Sequence, residues 1–170
     1  VMQLWRDVVS EIHETEFNDV ELEHLYIDNA TMQVIKRPST FDVILASNLF
    51  GDIISDEIAE VIGSLGMLPS ASIGANKAIY EPAGGTAPDI SGQNTANPIG
   101  AIMSLAMVFK YSLNLDNIHD LIEASISKTL DDGIRTNDIN KDGKGTTVVS
   151  CSQMGDEILK NIDEIKSKFI

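Results

Sequence analysis

Phe41-Asp42-Val43-Ile44-Leu45-Ala46-Ser47-Asn48-Leu49-Phe50-Gly51-Asp52-Ile53-Ile54-Ser55-Asp56-Glu57-Ile58-Ala59-Glu60-Val61-Ile62 joins two patterns of different period. Phe41 to Ala46 is a short, mostly apolar run, which predicts a buried strand. Asn48-Leu49-Phe50-Gly51 reads as a polar corner with a glycine to turn on. A helical pattern then places Ile53, Ile54, Ile58 and Ile62 on one side. Asp52 and Asp56 fall one helical turn apart, where like charges repel by a few tenths of a kcal/mol unless a cation lies between them. The pair suggests a hard divalent metal, since magnesium and manganese prefer oxygen ligands. Complementing the helix dipole is the other local explanation of an acidic first turn.

Upstream, Val20 to Ile27 alternates apolar and charged residues, which predicts a half-exposed strand. Asp28-Asn29 then opens a helix that runs to Arg37 and is stopped by Pro38. Taken locally, Asp28 is its N-cap. Val1 to Glu14 carries Leu4, Val8 and Ile12 on one helical stripe, with Trp5 and Val9 beside it, a packing helix. Strand, helix, strand, helix is the rhythm of an α/β sheet. The chain opens inside a helical pattern without a cap, so a piece lacking an N-terminal part is expected.

Downstream, Gly63 to Asn76 is a run of small, uncharged residues, expected to lie as a loop against other structure or a ligand. It is also where one domain hands over to the next, residues 1–62 and 63–170 being the expected division. Ala78 to Glu81 is a short strand. Pro82 to Pro98 is rich in glycine, proline and small polar residues, a pattern suited to a nucleotide loop, although it lacks the G-x-G-x-x-G fingerprint. Asn97-Pro98 supplies a cap and a first-turn proline for a helix over Ile99 to Ser112. Its core stripe is Ile99, Ile102, Met103, Ala106 and Phe109. A second helix spans Leu115 to Leu130, with Ile118, Leu121, Ile122, Ser125 and Ile126 inward and Gly133 beyond its end. Thr146 to Ser150 has the β-branched content of a strand. Ser152 is expected to cap a last helix whose apolar positions are Met154, Ile158, Leu159, Ile162 and Ile165. Asp138-Ile139-Asn140-Lys141-Asp142-Gly143 imitates half of a calcium loop, but its twelfth position is Val149 instead of Glu, so it reads as a polar hairpin turn.

The bulk properties bound the function. The 170 residues are 43% hydrophobic and 22% charged, the composition of a globular domain. A net charge of -14 argues against a nucleic-acid or anionic-membrane partner, since both need a basic face. The single cysteine, Cys151, excludes an internal disulfide and fits a reducing, cytoplasmic compartment, where it is expected to be a buried small residue. His13, His24 and His119 are scattered singly, so no Cys/His zinc pattern exists.

Four stretches together carry a more specific signal: Tyr26 to Gln33, Ser47 to Asp56, Gly63 to Ile73, and Tyr80 to Pro98. In this order and spacing the chain resembles the C-terminal half of the 3-isopropylmalate dehydrogenases. These belong to the metal-dependent β-decarboxylating dehydrogenases, with isocitrate and tartrate dehydrogenases as relatives. The resemblance implies a two-domain α/β fold distinct from the Rossmann fold. It implies Mg2+ or Mn2+ held by Asp28, Asp52 and Asp56, with Asp28 reaching both substrate and metal. It also implies a homodimer whose active site takes Asp28 from one subunit and Asp52 and Asp56 from the other, across a four-helix bundle.

The same resemblance assigns NAD to Gly85, Thr86, Ala87, Pro88, Asp89, Ile90, Ser91, Gly92, Gln93, Asn94, Thr95, Ala96 and Asn97, with Glu81 near the nicotinamide end. NADP-using isocitrate dehydrogenases carry Lys-Tyr where Asp89-Ile90 stands. An aspartate accepts a hydrogen bond from a free ribose 2'-hydroxyl and repels a 2'-phosphate, so NAD is expected. Gly84 stands where many relatives carry a histidine, a feature shared with one branch of the isopropylmalate enzymes. The implied reaction is oxidative decarboxylation of 3-isopropylmalate to 4-methyl-2-oxopentanoate and CO2 in leucine biosynthesis. The alternatives are another 2-hydroxy acid of the class (isocitrate, homoisocitrate or tartrate), or a non-catalytic regulatory subunit of the same fold. The lysine and tyrosine acid/base groups and the substrate-gripping arginines of such enzymes match no residue of this chain. The lysine would lie shortly upstream of Val1, and the chain by itself is expected to be inactive.

Overall fold

A computed structural model describes residues 2–141, 143 and 145–170. The chain divides into two compact units, Val1–Ile54 and Ser55–Ile170, and the division falls inside a helix. No described helix is long and apolar enough to cross a membrane.

In the first unit, α1 (Met2–Glu16) forms where the apolar stripe predicts it, yet none of its residues is buried. The following segment corrects the expectation of a strand over Val20 to Ile27: residues 21–26 pair with no strand among the described residues. Val20 and His24 contact α1, where His13 Nε2 lies 2.6 Å from the Val20 carbonyl and Ser10 Oγ lies 3.1 Å from His24 Nε2, and the Tyr26 carbonyl accepts from the Ala30 amide at 2.8 Å. Helix α2 (Ile27–Lys36) buries Ala30 and Val34, one turn apart on one face. Its N-cap position is Tyr26 and not Asp28, so Asp28 sits within the first turn.

Phe41 to Ala46 is likewise unpaired, and Val43 is 88% exposed. An apolar run becomes a strand only when another strand accepts its backbone hydrogen bonds, and none among the described residues does so. Helix α3 (Asn48–Ile62) starts at Asn48, so the expected corner is its first turn, with the Gly51 amide donating to the Ser47 carbonyl at 2.7 Å. Of the expected isoleucine stripe Ile54 is buried, Ile58 is half-buried, and Ile53 and Ile62 are exposed, while Ala59 is fully buried.

The second unit opens with a tight turn over Leu65–Met67, capped by Ser64, whose Oγ accepts from the Gly66 amide at 3.1 Å. The stretch expected to be loop holds a strand, β1 (Pro69–Ile73). It pairs antiparallel with β2 (Ala78–Pro82), Ile73 facing Ala78 and Pro69 facing Pro82. Helix α4 (Ile99–Met107) passes into a wide π turn over Val108–Ser112, and the Tyr80 hydroxyl on β2 meets Ser112 Oγ at 2.7 Å. Helix α5 (Asp116–Asp131) is followed, past its cap Asp132, by Gly133, whose φ of +81° is a left-handed turn that glycine adopts without strain.

Strands β3 (Ile134–Arg135) and β4 (Thr147–Val148) pair in parallel. The segment between them is therefore a crossover and not a hairpin; of the expected turn, Asp142 lies outside the described residues. Helix α6 (Cys151–Ile165) corrects its expected cap. Ser150, not Ser152, is the N-cap, in a reciprocal box with Gln153 three residues on.

Ile99 and Ala106 of α4, Ile122 and Ile126 of α5, and Met154 and Ile158 of α6 make the core of this unit, with Ile102, Met103, Phe109, Ile118 and Ile162 packed against it. Of the apolar positions of α6, Leu159 is 61% exposed. Polar groups inside the helix layer are satisfied: Thr129 Oγ1 donates to the Ser125 carbonyl and accepts from Asn161 Nδ2 at 2.9 Å.

The start of α4 approaches the preceding turn backbone to backbone. A Cβ on Gly100 would lie 2.8 Å from the Gly66 carbonyl oxygen and 3.0 Å from that of Leu68. Gly100→Ala is therefore expected to destabilise the protein by about 1–3 kcal/mol, as overpacking does. Gly155 on α6 has nothing within 4 Å of such a Cβ. Gly155→Ala should stabilise by about 0.5–1 kcal/mol through helix propensity. Thermal melts of both variants check the pair, and equal shifts would contradict the close approach.

Candidate functional site

The candidate metal acids lie on two helices. Asp28 is exposed in the first turn of α2, its Oδ1 accepting from the Asn29 amide at 2.9 Å. Asp52 and Asp56 are both exposed on α3, one turn apart. Next to Asp56, the Glu57 carboxylate has Oε2 buried with no hydrogen-bond partner among the described residues. An acceptor oxygen in that state favours a donor or cation beside it. Carboxylates alone make a hard donor set, which suits Mg2+ or Mn2+ and not a soft metal. A different trio of possible ligands, His119, Asp120 and Glu123, lies on α5, with His119 Nδ1 bonded to Asp120 Oδ1 at 3.0 Å.

The candidate cofactor loop follows β2. Glu81 is exposed near the end of that strand, and Gly84 packs against the Leu65 carbonyl, which would lie 3.8 Å from a Cβ there. Gly85 faces open space. Ala87 then takes a left-handed conformation, φ +40°, and starts a short 3-10 turn, Pro88–Ile90, that presents Asp89 to solvent. Gln93 Nε2 donates to the Asp89 carbonyl at 2.6 Å, so the turn is tied from within. Gly92 and Asn94 are also left-handed, at φ +75° and +56°. Thr86, Ser91, Thr95 and Ala96 are exposed along the same loop. A cleft of about 410 Å3 runs beside it, lined by Gln93, Asn94, Thr95, Asn137, Val148, Val149 and Ser150.

Asn97 anchors the loop's far end. Helix α4 starts at Ile99 as expected, but its N-cap position is Pro98 and not Asn97; the Asn97 side-chain Oδ1 still accepts from the Ile99 amide at 3.0 Å. The Asn97 amide Nδ2 donates to Asp138 Oδ2 at 3.1 Å and reaches Met67 Sδ at 3.3 Å. Asp138 is therefore part of this region, although its local sequence suggests only a turn. No periodicity or spacing ties it to Asn97, forty-one residues away in sequence. Partial burial pushes its carboxyl upward, but the Ser64 and Thr136 hydroxyls and the Asn97 amide outweigh this and hold it below the ordinary carboxylate range. A depressed carboxyl stabilises the fold fully above the unfolded value of about 3.9, and the contribution is lost as pH falls through the folded one.

Against known proteins, the family model for isocitrate/isopropylmalate dehydrogenase matches residues 1–158. A 3-isopropylmalate dehydrogenase of Aquifex aeolicus (strain VF5) is 53% identical over 169 residues, covering 99% of this chain and 46% of that protein. One from Escherichia coli (strain K12) is 56% identical over 162 residues, covering 95% of this chain and 44% of its own length. The crystal structure of an isocitrate dehydrogenase from Methylococcus capsulatus superposes with a TM-score of 0.87 at 34% identity, over 94% of this chain and 46% of that one. The chain thus spans slightly under half the length of the relatives it matches, and it shares their fold over nearly its whole extent. On the family match and these identities, the chain belongs to the isocitrate/isopropylmalate dehydrogenase family.

Proposed function

We propose that this chain is the C-terminal part of an NAD-dependent 3-isopropylmalate dehydrogenase of leucine biosynthesis, working in the cytoplasm as a homodimer. The named relatives support the substrate, being 3-isopropylmalate dehydrogenases at 53% and 56% identity. The observation that carries the cofactor is the Gly85–Asn97 loop. It presents Asp89 to solvent on a turn braced by Gln93, and no lysine or arginine occurs within it. An exposed carboxylate without a neighbouring cation suits a ribose bearing free hydroxyls and disfavours a 2'-phosphate.

Residues 1–62 complete a dimer-forming domain in this reading, and residues 63–170 belong to the NAD-binding domain. Asp28 of one subunit, with Asp52 and Asp56 of the other, would hold Mg2+ or Mn2+. When bound, such an ion would supply stabilisation of negative charge on the substrate's C2 oxygen, and NAD would supply the hydride acceptor. By holding that ion, Asp28, Asp52 and Asp56 would orient the substrate. Glu81, near the end of β2, is assigned to the nicotinamide end of the cofactor. The apolar side chains left exposed on α1, α2 and α3, among them Leu4, Met32, Ile35, Leu49 and Ile53, suit coverage by a second subunit and by the rest of the protein.

A second reading, oxidation of isocitrate or another 2-hydroxy acid, is supported by the isocitrate dehydrogenase neighbour, but at the lower identity of 34%. A non-catalytic subunit fits less well, because it would have no need of three mutually repelling acids.

Two sets of variants of the full-length protein test this. Asp52→Asn should lower kcat by about 100-fold, the size expected when metal stabilisation worth several kcal/mol is lost. An unchanged rate would indicate a non-catalytic subunit. Asp89→Lys combined with Ile90→Tyr should shift the NAD to NADP ratio of kcat/KM toward NADP by roughly 10- to 100-fold, the range of charge-assisted hydrogen bonds. An unmoved ratio would place cofactor choice elsewhere. The 170-residue chain alone should form no NADH from 3-isopropylmalate in a spectrophotometric assay.

A further inference from the structure

The cofactor loop does not end its contacts with the dinucleotide side. Asn94, at its left-handed bend, is bonded three times to the start of α6. The Asn94 carbonyl accepts from the Cys151 amide at 2.8 Å, and its side-chain Oδ1 accepts from the Ser152 amide at 3.1 Å. Its Nδ2 donates to Ser152 Oγ at 2.9 Å. The first amides of a helix have no partner within it. Here Asn94 takes those of Cys151 and Ser152, and Ser150 Oγ takes that of Gln153 at 3.4 Å. The cap of α6 is therefore shared between a local box and a residue from a distant loop.

The arrangement works in both directions. Helix α6 is fixed by its buried Met154 and Ile158 in the core, so whatever bonds to its first turn is held with it. Both ends of the Asn94 amide are committed to α6, and its φ of +56° is one that asparagine tolerates better than most residues. The next residue back, Gln93, braces the turn that presents Asp89. Bracing runs without a break from the helical core through Ser152, Asn94 and Gln93 to Asp89.

We infer that Asn94 and Ser152 are a positioning pair that holds the loop in its dinucleotide-receiving form, with Ser152 contributing to cofactor affinity without touching the cofactor. This rests on the reading of the Gly85–Asn97 loop as the NAD site. Order present before binding is order that binding need not supply, so the pair lowers the free-energy cost of capture. It acts on NAD and leaves the substrate subsite alone.

The test uses the full-length dehydrogenase that contains this chain, with initial rates at varied NAD and varied 3-isopropylmalate, and melting temperature alongside. Ser152→Ala should raise KM for NAD about three- to ten-fold, the factor for one or two lost hydrogen bonds, and by more than it changes KM for 3-isopropylmalate. Ser152→Thr, which keeps the hydroxyl, should recover most of the loss. Asn94→Gly should show at least as large a rise, and adding Ser152→Ala to it should bring little more, because the two act as one unit. An unchanged KM for NAD in Ser152→Ala would overturn the proposal, as would parallel rises in both KM values that follow the melting temperature. Asp89→Ala separates the two levels of the argument. If it raises KM for NAD and Ser152→Ala does not, the positioning pair fails alone; if neither does, the NAD reading of the loop fails.

Discussion

The tightest constraint in the second unit is the approach of α4 to the turn before it. Gly100 sits where any side chain would strike the carbonyls of Gly66 and Leu68. Gly66 in turn faces Asn97 so closely that a Cβ on it would lie 2.8 Å from the Asn97 Cβ. Two glycines thus let the turn over Leu65–Met67 and the Asn97–Gly100 stretch meet closely, and the position of Asn97 follows from their meeting. From Asn97 the contacts spread outward, to Met67, to Asp138, and to the first amide of α4. The far end of the candidate cofactor loop is therefore set by close packing of backbone, with hydrogen bonds fixing the details.

The loop is held at its middle by a different means. Left-handed residues at Ala87, Gly92 and Asn94 fold it back on itself, and its bonds to α6 tie it to a helix anchored in the core. A loop restrained at both places keeps its exposed residues in place without burying them. This is the property a binding loop needs, since its side chains must be ordered and still reachable. The acidic helices of the first unit pose the opposite case. Asp28 and Asp52 are exposed, and much of the apolar surface on α1 and α2 is uncovered within the chain. Such surface has the character of an interface, and the homodimer proposal draws on it.

Much of the second unit was legible from residue pattern. The stripe Ile99, Ile102, Met103, Ala106 and Phe109 faces the core as its spacing predicts, and so do Leu121, Ile122 and Ile126. Helical periodicity reads well because a helix satisfies its own backbone. Strands depend on partners, and there the reading failed in both directions. Phe41 to Ala46 looks like a buried strand and finds no ladder, whereas Pro69 to Ile73, small and irregular in pattern, pairs along its whole length with β2. Ser152 looks like the cap of α6, yet Gln153 three residues beyond Ser150 is the mark of a reciprocal cap at Ser150. Asp138 was invisible for a plainer reason: its partner Asn97 is brought to it only by the tertiary fold. The acid set and the loop are assigned through long motifs whose meaning comes from the family; taken locally, Asp28 reads as a cap, and Asp52 with Asp56 reads either as a hard-metal pair or as dipole complement.

The most direct measurement is the initial rate of reduced dinucleotide formation by the full-length protein, with Mg2+ or Mn2+ supplied, compared across 3-isopropylmalate and isocitrate and across NAD and NADP. The account predicts that 3-isopropylmalate with NAD is turned over with the highest kcat/KM, and that activity is lost when the metal is chelated. A preference for isocitrate, a preference for NADP, or turnover indifferent to chelation would contradict it.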